Sequence, residues 1–298
     1  MDRLEAMSIV LAVAETGSLS AAARHLNTPS ATASRKIAEL EELLRTKLFD
    51  RSARRLALTD AGLSYVAALK RILPDISEAE RAASGEYTAP TGELVVTAPG
   101  GLGRLHLVPI LAEFFRSYPD ITVRLVLGER ILSLGEEHID VALRIGVLPD
   151  SRLMALRLAA IHPVVCASPA YLAAHGTPNT PDDLAGHDCI VYEGFQTPGV
   201  WPFMRGQTEI AIAVRPRLVV SSTEVACEAA RAGIGLTRAF SYHVASSAEA
   251  GTLTTVLDEY RPAALPVSFV YPAGRYLPIK LRAFLDFASP LLQARLAR

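Results

Sequence analysis

The chain has 298 residues, half of them hydrophobic and a fifth charged, so it can bury a substantial core and divide into two or three compact units. Lys plus Arg (30) nearly equals Asp plus Glu (31), which excludes a global field drawing the protein to nucleic acid or a membrane and leaves only local basic patches for such a task. No apolar run approaches the ~20 residues that span a bilayer, and the opening MDRLEAMSIVLAVAETG lacks the basic start and small-residue cleavage site of a signal peptide, so a cytoplasmic protein without membrane contact is expected.

Leu4, Met7, Val10, Leu11 and Ala14 recur at helical spacing and predict a first helix ending near Gly17. Ser18 or Ser20 can cap a second helix, where Ala21, Ala22 and Ala23 let another helix cross at close range. Asn27, a residue that tolerates the left-handed conformation, marks a turn. Thr28 then predicts an N-cap and Pro29 a first-turn proline for a third helix. On that helix Ala33, Ile37, Leu40 and Leu44 share one face, which must pack inward. The opposite face carries Ser30, Ala31, Thr32, Ser34, Arg35 and Lys36: small and hydroxyl-bearing side chains beside two cations, suited to base edges and phosphates in a major groove. Residues 45–58 then hold five basic side chains (Arg45, Lys47, Arg51, Arg54, Arg55) against one acid, Asp50. The alternation RRLALT predicts a strand, hence a wing gripping the flanking phosphates.

The stretch GSLSAAARHL, the pair Ser34-Arg35, Leu40-Glu41, LFDR at 48–51 and LTDAG at 58–62 follow one another over about sixty residues. Together they resemble the DNA-binding domain of LysR-type transcriptional regulators, a far more specific signal than any single motif. The resemblance implies that Ser34 and Arg35 reach base edges or phosphates and that Arg51 contacts backbone from the wing. The DNA-binding candidates are thus Ser18, Ser20, Thr28, Pro29, Ser30, Thr32, Ser34, Arg35 and Lys36 of the helix-turn-helix, with Arg51, Arg54 and Arg55 of the wing. Three positions depart from the family pattern: Asn27 where glycine is common, Ala33 for valine, and Arg45 where a glycine usually ends the recognition helix.

Residues 60–84 place Leu63, Val66, Leu69 or Ile72, and Ile76 at near-heptad spacing, interrupted by Pro74. A helix over them would extend roughly 37 Å at ~1.5 Å per residue. Its apolar seam wants a partner, either a second copy of the chain, as the resemblance also implies, or the chain's own C-terminal domain. SGEYTAPTG follows as a hinge, so the expected organisation is a winged helix-turn-helix over 1–59, a linker and dimerisation helix with hinge over 60–90, and a third domain over 91–298.

There strand-like and helix-like segments alternate in an α/β pattern: ELVVTA, a helix through LVPILAEFFRSYP, ITVRLVLG, a short helix near 131–137, and DVALRIG. HPVVCASPAYLAAHG opens a second series with CIVYE, EIAIAV, LVVSS, a helix over 223–232, IGLTRAF, VSFVYP and a closing helix over 279–296. Trp201 is expected in a loop, or filling a core. EEHIDVALRIG, CASPAYLAAHGTP and DLAGHDCIVYE match the two-lobed, periplasmic-binding-protein-like (type 2) effector domain of the same regulators. By that resemblance one lobe covers about 91–162 with 267–298 and the other about 163–266, with a small-molecule effector between them.

TAPGGLGRLH is a glycine-rich turn between strand and helix that misses the dinucleotide fingerprint, because His106 stands where the third glycine belongs. Its backbone amides still favour an anion, so Pro99, Gly100, Gly101 and Leu102 are expected to border an effector carboxylate. By family position Arg144, Gly146, Ser222, Thr223 and Thr237 would line the same cleft. The same residue types also serve as turn residues and caps. GxSxG, HExxH and P-loop motifs are lacking, the histidines fall singly, and Cys166, Cys189 and Cys227 form no CxxC pair. No catalysis, cofactor or metal site is therefore expected, and His106 and His162 are taken as satisfied structural residues. The expected partners are double-stranded promoter DNA, the effector, a homodimer or homotetramer, and RNA polymerase if the protein activates. A transport component and a cleft enzyme are the rivals, opposed by the basic N-terminal cluster and by the lack of a nucleophile beside a base.

Overall fold

The computed structural model describes residues 2–50, 56–83, 89–128, 139–148, 153–194, 197–273 and 277–297. Two compact units divide the chain, one over Met1–Glu93 with Pro278–Lys280 and one over Leu94–Leu277 with Leu281–Arg298.

In the first unit, α1 (Arg3–Thr16) starts on the Asp2 carboxylate, which accepts from Leu4 N and Glu5 N, and ends at Gly17 in the left-handed region. Helix α2 (Leu19–His25) is capped by Ser18, whose Oγ accepts from Ala21 N (3.4 Å). The turn passes through Asn27 at φ 48°, as its tolerance of that region predicts. Helix α3 (Ser30–Leu44) begins one residue later than expected: the cap position is Pro29, with ψ 137°, and Thr28 instead donates its hydroxyl to Leu26 O. A proline holds the residue before it extended, and here it is itself extended, so Ser30 is the first residue free to enter the helix. Ala22, Ala23, Ala33, Ile37 and Leu40 close the core against Ile9, Val10 and Val13 of α1.

The wing pairs β1 (Phe49–Asp50) with β2 (Ala57–Leu58), antiparallel. Of the strand expected over RRLALT, Ala57 and Leu58 are paired among the described residues, and Arg51, Arg54 and Arg55 lie outside them. Helix α4 (Asp60–Ala83) runs through Pro74. Its predicted seam splits: Val66 and Leu69 are buried in the winged-helix core, with Tyr65 and Leu73 packed against it, while Leu63 and Ile72 stay exposed. Part of the connector completes the head and belongs to its compact unit.

In the second unit β3 (Gly92–Ala98) leads into the short α5 (Gly100–Leu102), one π-helical turn over Gly103–Leu107, and α6 (Val108–Ser117). Strands β4 (Ile121–Leu127), β5 (Val141–Ile145) and β6 (Leu153–Ile161) follow; the helix expected near 131–137 lies outside the described residues. The chain then builds β7 (Pro163–Ala167), α7 (Pro169–His175), β8 (Cys189–Tyr192), the hairpin of β9 (Val200–Arg205) and β10 (Thr208–Ala213), β11 (Pro216–Val220), α8 (Thr223–Arg231), β12 (Leu236–Phe240), α9 (Ser241–Glu249) and β13 (Thr254–Val256). It returns through β14 (Leu265–Pro272) and closes with α10 (Ile279–Leu296).

Two five-stranded sheets result, in the orders β4-β3-β5-β14-β6 and β11-β8-β12-β7-β13. They are the two expected lobes, and the chain crosses between them before β7 and again before β14. The first lobe's core joins Leu94, Leu143 and Phe269 to the perpendicular pair Phe114–Phe284. The second sheet is covered on both faces. Tyr171, Trp201 and Phe203 lie on one, and Ile190, Cys166, Cys227 and Val244 on the other. Trp201 sits in β9 rather than a loop and fills this core, 2% exposed. Strands β6 and β13 and helix α9 had no sequence counterpart above.

Candidate nucleic-acid interface and effector cleft

The turn between α2 and α3 leaves Ser20, Pro29, Ser30 and Arg35 exposed and Ser18, Thr28, Thr32 and Ser34 half-buried. Arg35 stands at the centre of this polar surface with 69% of its side chain exposed, its Nε 3.8 Å from Glu39 Oε1 one turn on. Such an exposed (i, i+4) pair contributes at most a few tenths of a kcal/mol, roughly 0.5, so it does not hold the guanidinium from other partners. Lys36 behaves differently: its ammonium pairs with Glu5 of α1 and its side chain is 15% exposed. Of the two expected cations, one reaches outward and one folds back on its own domain.

Arg45 closes α3 in the left-handed region, φ 53°, doing as an arginine what a glycine commonly does. Behind it Glu41 is 2% exposed. Its Oε1 accepts from Leu48 N (2.8 Å) and Phe49 N (3.2 Å), and its Oε2 pairs with Lys47 Nζ (3.0 Å). Burial alone would raise the carboxyl pKa; the hydrogen bonds from Leu48, Lys47 and Phe49 outweigh it and hold the group below its ordinary 4.5.

In the second unit the glycine-rich turn is packed closely. A methyl group on Gly101 would overlap the His243 imidazole and crowd Tyr242, and one on Gly103 would overlap Leu127. Gly101 and Leu102 are buried, and Gly103 N donates to Pro99 O (2.8 Å) within the helix. Close packing thus requires glycine at both positions, Gly101 against α9 of the second lobe and Gly103 against β4 of its own. Thr237, expected to line the cleft, is fully buried, and its hydroxyl donates to Ile190 O (3.1 Å). Ser222 caps α8 and also donates to Glu224 Oε2 (2.6 Å), and Thr223 is buried behind it. Gly146 needs its φ of 104° and donates to Pro266 O, while Arg144 faces Ser268 across β5 and β14, its guanidinium pKa lowered by burial.

What the sequence missed is the opposite wall. Tyr242 and His243, at the start of α9, meet His106 of the π turn, whose ring stands edge-on to Tyr242 at 5.7 Å. Both nitrogens of His106 and Nδ1 of His243 are buried and take no hydrogen bond from the described residues. Burial lowers the His243 pKa to about 4; Glu224 opposes this, and Arg104 and His106 add to it. The signal was present in SYHV directly after a strand, but aromatic residues there read equally as core. A second opening, a groove of ≈ 460 Å³, lies on the second lobe between Tyr171, His175, Asp188 and Arg217, none of them singled out from sequence.

Comparison with known proteins agrees with this division. A family model described as the bacterial regulatory helix-turn-helix protein of the lysR family matches residues 4–63, and one described as the LysR substrate binding domain matches residues 88–293. The regulator CrgA of Neisseria meningitidis serogroup B is 34% identical over 287 residues, covering 95% of this chain and 95% of that one. The solved structure of CrgA, a LysR-type transcriptional regulator, superposes with a TM-score of 0.64 at 32% identity over 97% of this chain and 98% of that chain. The full-length Vibrio cholerae virulence activator AphB gives 0.61 at 26% identity, over 96% and 98%.

Proposed function

This chain belongs to the LysR family of transcriptional regulators, with a helix-turn-helix DNA-binding domain and a substrate-binding effector domain, and from that premise we propose which residues carry each activity. Helix α3 enters the major groove with Arg35 on a base edge, Ser30, Thr32 and Ser34 beside it, and Ser18, Ser20, Thr28 and Pro29 along the backbone. The wing residues Arg51, Arg54 and Arg55 take flanking phosphates, and Lys36 exchanges Glu5 for phosphate on contact. The observation that carries this is the outward Arg35 at the centre of a surface of small polar side chains. An arginine on guanine distinguishes bases, whereas one on phosphate does not.

The test is anisotropy on operator and random duplexes. Arg35→Ala should weaken operator binding by about 1–3 kcal/mol and leave random DNA nearly unchanged, while Arg54→Ala should weaken both alike. Equal losses on both duplexes for Arg35→Ala would remove it from base readout.

The effector, an anion if the amides of Gly100 and Gly101 receive it, binds between the lobes near Pro99 and Leu102, with Arg144 and the caps of α8 bordering the cleft. Tyr242 and His243 face it from the second lobe. The protein acts on promoter DNA in the cytoplasm as a homodimer or homotetramer through the exposed side of α4, engages RNA polymerase if it activates, and catalyses no reaction.

A further inference from the structure

Two of the motifs that mark the DNA-binding domain, Leu40-Glu41 and LTDAG at 58–62, supply none of the side chains assigned to DNA above. Their geometry gives them another task. Leu48 stands directly before β1, and its peptide is gripped from both sides. Its N–H donates to the buried Glu41 carboxylate on α3 (2.8 Å). Its carbonyl accepts from Thr59 N (3.0 Å) at the start of α4 and lies so close to Gly62 that any Cβ there would overlap it. The carbonyl of Lys47 is held as well: Lys47 O accepts from Thr59 Oγ1 (2.6 Å), which in turn accepts from Gly62 N (2.9 Å), and Lys47 Nζ pairs with Glu41 Oε2. One carboxylate and one hydroxyl thus fasten the root of the wing to the recognition helix and to the connector helix.

We infer that Glu41 and Thr59, with Gly62, are positioning residues that set the wing's place against the flanking DNA, without touching DNA themselves. The inference rests on the assignment of the wing to phosphate contacts. An isolated two-stranded ribbon is marginally stable by itself, and the described residues of the wing pair at two positions, Phe49 with Leu58 and Asp50 with Ala57. Its aim must come from its root, and a carboxylate that accepts two backbone N–H groups and an ammonium is a strong, geometrically demanding anchor.

The measurement is the salt dependence of binding by the full-length protein to the DNA upstream of its own gene, paired with a footprint. Each phosphate contact adds about 0.9 to the slope of log K on log salt. Glu41→Gln and Thr59→Val should each lower that slope by about one to three and lose protection at the flanks, while the protection centred on the recognition helix persists. Arg54→Ala added to Glu41→Gln should cause no further loss, because both changes remove the same contact. Wild-type slope and flanks in both variants, or fully additive losses in the double variant, would overturn the inference. Thr59→Val decides alone if Glu41→Gln fails to fold. An Arg54→Ala protein with an unchanged slope would fault the assignment of arginines to phosphate, whereas lost flank protection in Glu41→Gln would still support the clamp.

Discussion

Asn27 and Arg45 occupy the left-handed region at φ 48° and 53°, where a side chain on an L-residue costs roughly 1–2 kcal/mol and asparagine less. Arg45→Gly should therefore raise the stability of the winged-helix unit by up to about 1 kcal/mol, read as a higher denaturation midpoint, and Asn27→Gly should change it less. A lowered midpoint for Arg45→Gly would mean that the arginine side chain contributes more than the strain removes. Glu5 poses a complementary case, since its carboxylate holds Lys36 inside the domain. Glu5→Gln should strengthen binding to random DNA by no more than about fivefold, the order of 1 kcal/mol for a partly exposed pair, with the gain fading at high salt. Glu41 has the opposite character, being buried and fully engaged. Its folded pKa lies below 4.5, so its stabilisation is present above that pH and lost as pH falls through the folded value. Wild type should exceed Glu41→Gln in stability at neutral pH and approach it under acid, in parallel denaturation curves at several pH values.

Among the elements, the junction of α5 with the π turn and the start of α9 are matched pieces: the missing Cβ of Gly101 admits His243. Overpacking of this kind costs typically about 1–3 kcal/mol. Gly101→Ala should destabilise the effector domain by that order, and His243→Ala should restore most of it, a coupling visible in a double-mutant cycle. His243 also carries a pH signature. Its folded pKa of about 4 lies under the ordinary 6.5, so the unfolded chain takes up the proton first. Stability is whole above 6.5 and declines as pH falls from 6.5 toward 4, on the order of a few kcal/mol. His243→Phe should flatten that part of the stability curve, and an unchanged decline would assign it to other groups.

At the scale of the molecule, a regulator responds to an effector only if the ligand favours one conformation over another, and a contact spanning both lobes is where such a preference can be registered. His243 lies on that contact and the winged helix folds around a separate core. His243→Ala should therefore keep promoter binding without inducer and change the transcriptional response to it, in a reporter assay paired with a footprint. A wild-type response would move the effector contacts elsewhere in the cleft. A side chain of any kind at position 101 displaces His243, so a charged substitution there would report on packing before it reported on an anion.

The sequence by itself determined the family, the helix-turn-helix, the wing and most strands of both lobes, because these follow from local patterns: periodicity, caps, turn residues and short motifs whose order is preserved. It also placed Asn27 at its turn and narrowed the cap of α2 to Ser18 or Ser20, since capping and left-handed backbone are settled within a few residues. Only the tertiary structure decided what the same side chains touch across distance. Val66 and Leu69 close their own head, Thr237 bonds to Ile190, Lys36 turns to Glu5, Cys166 meets Cys227 over 61 positions, and His243 fills the space above Gly101. These are contacts between segments far apart in the chain, and a polar or glycine residue presents the same local signal whether a ligand or a neighbouring element completes it.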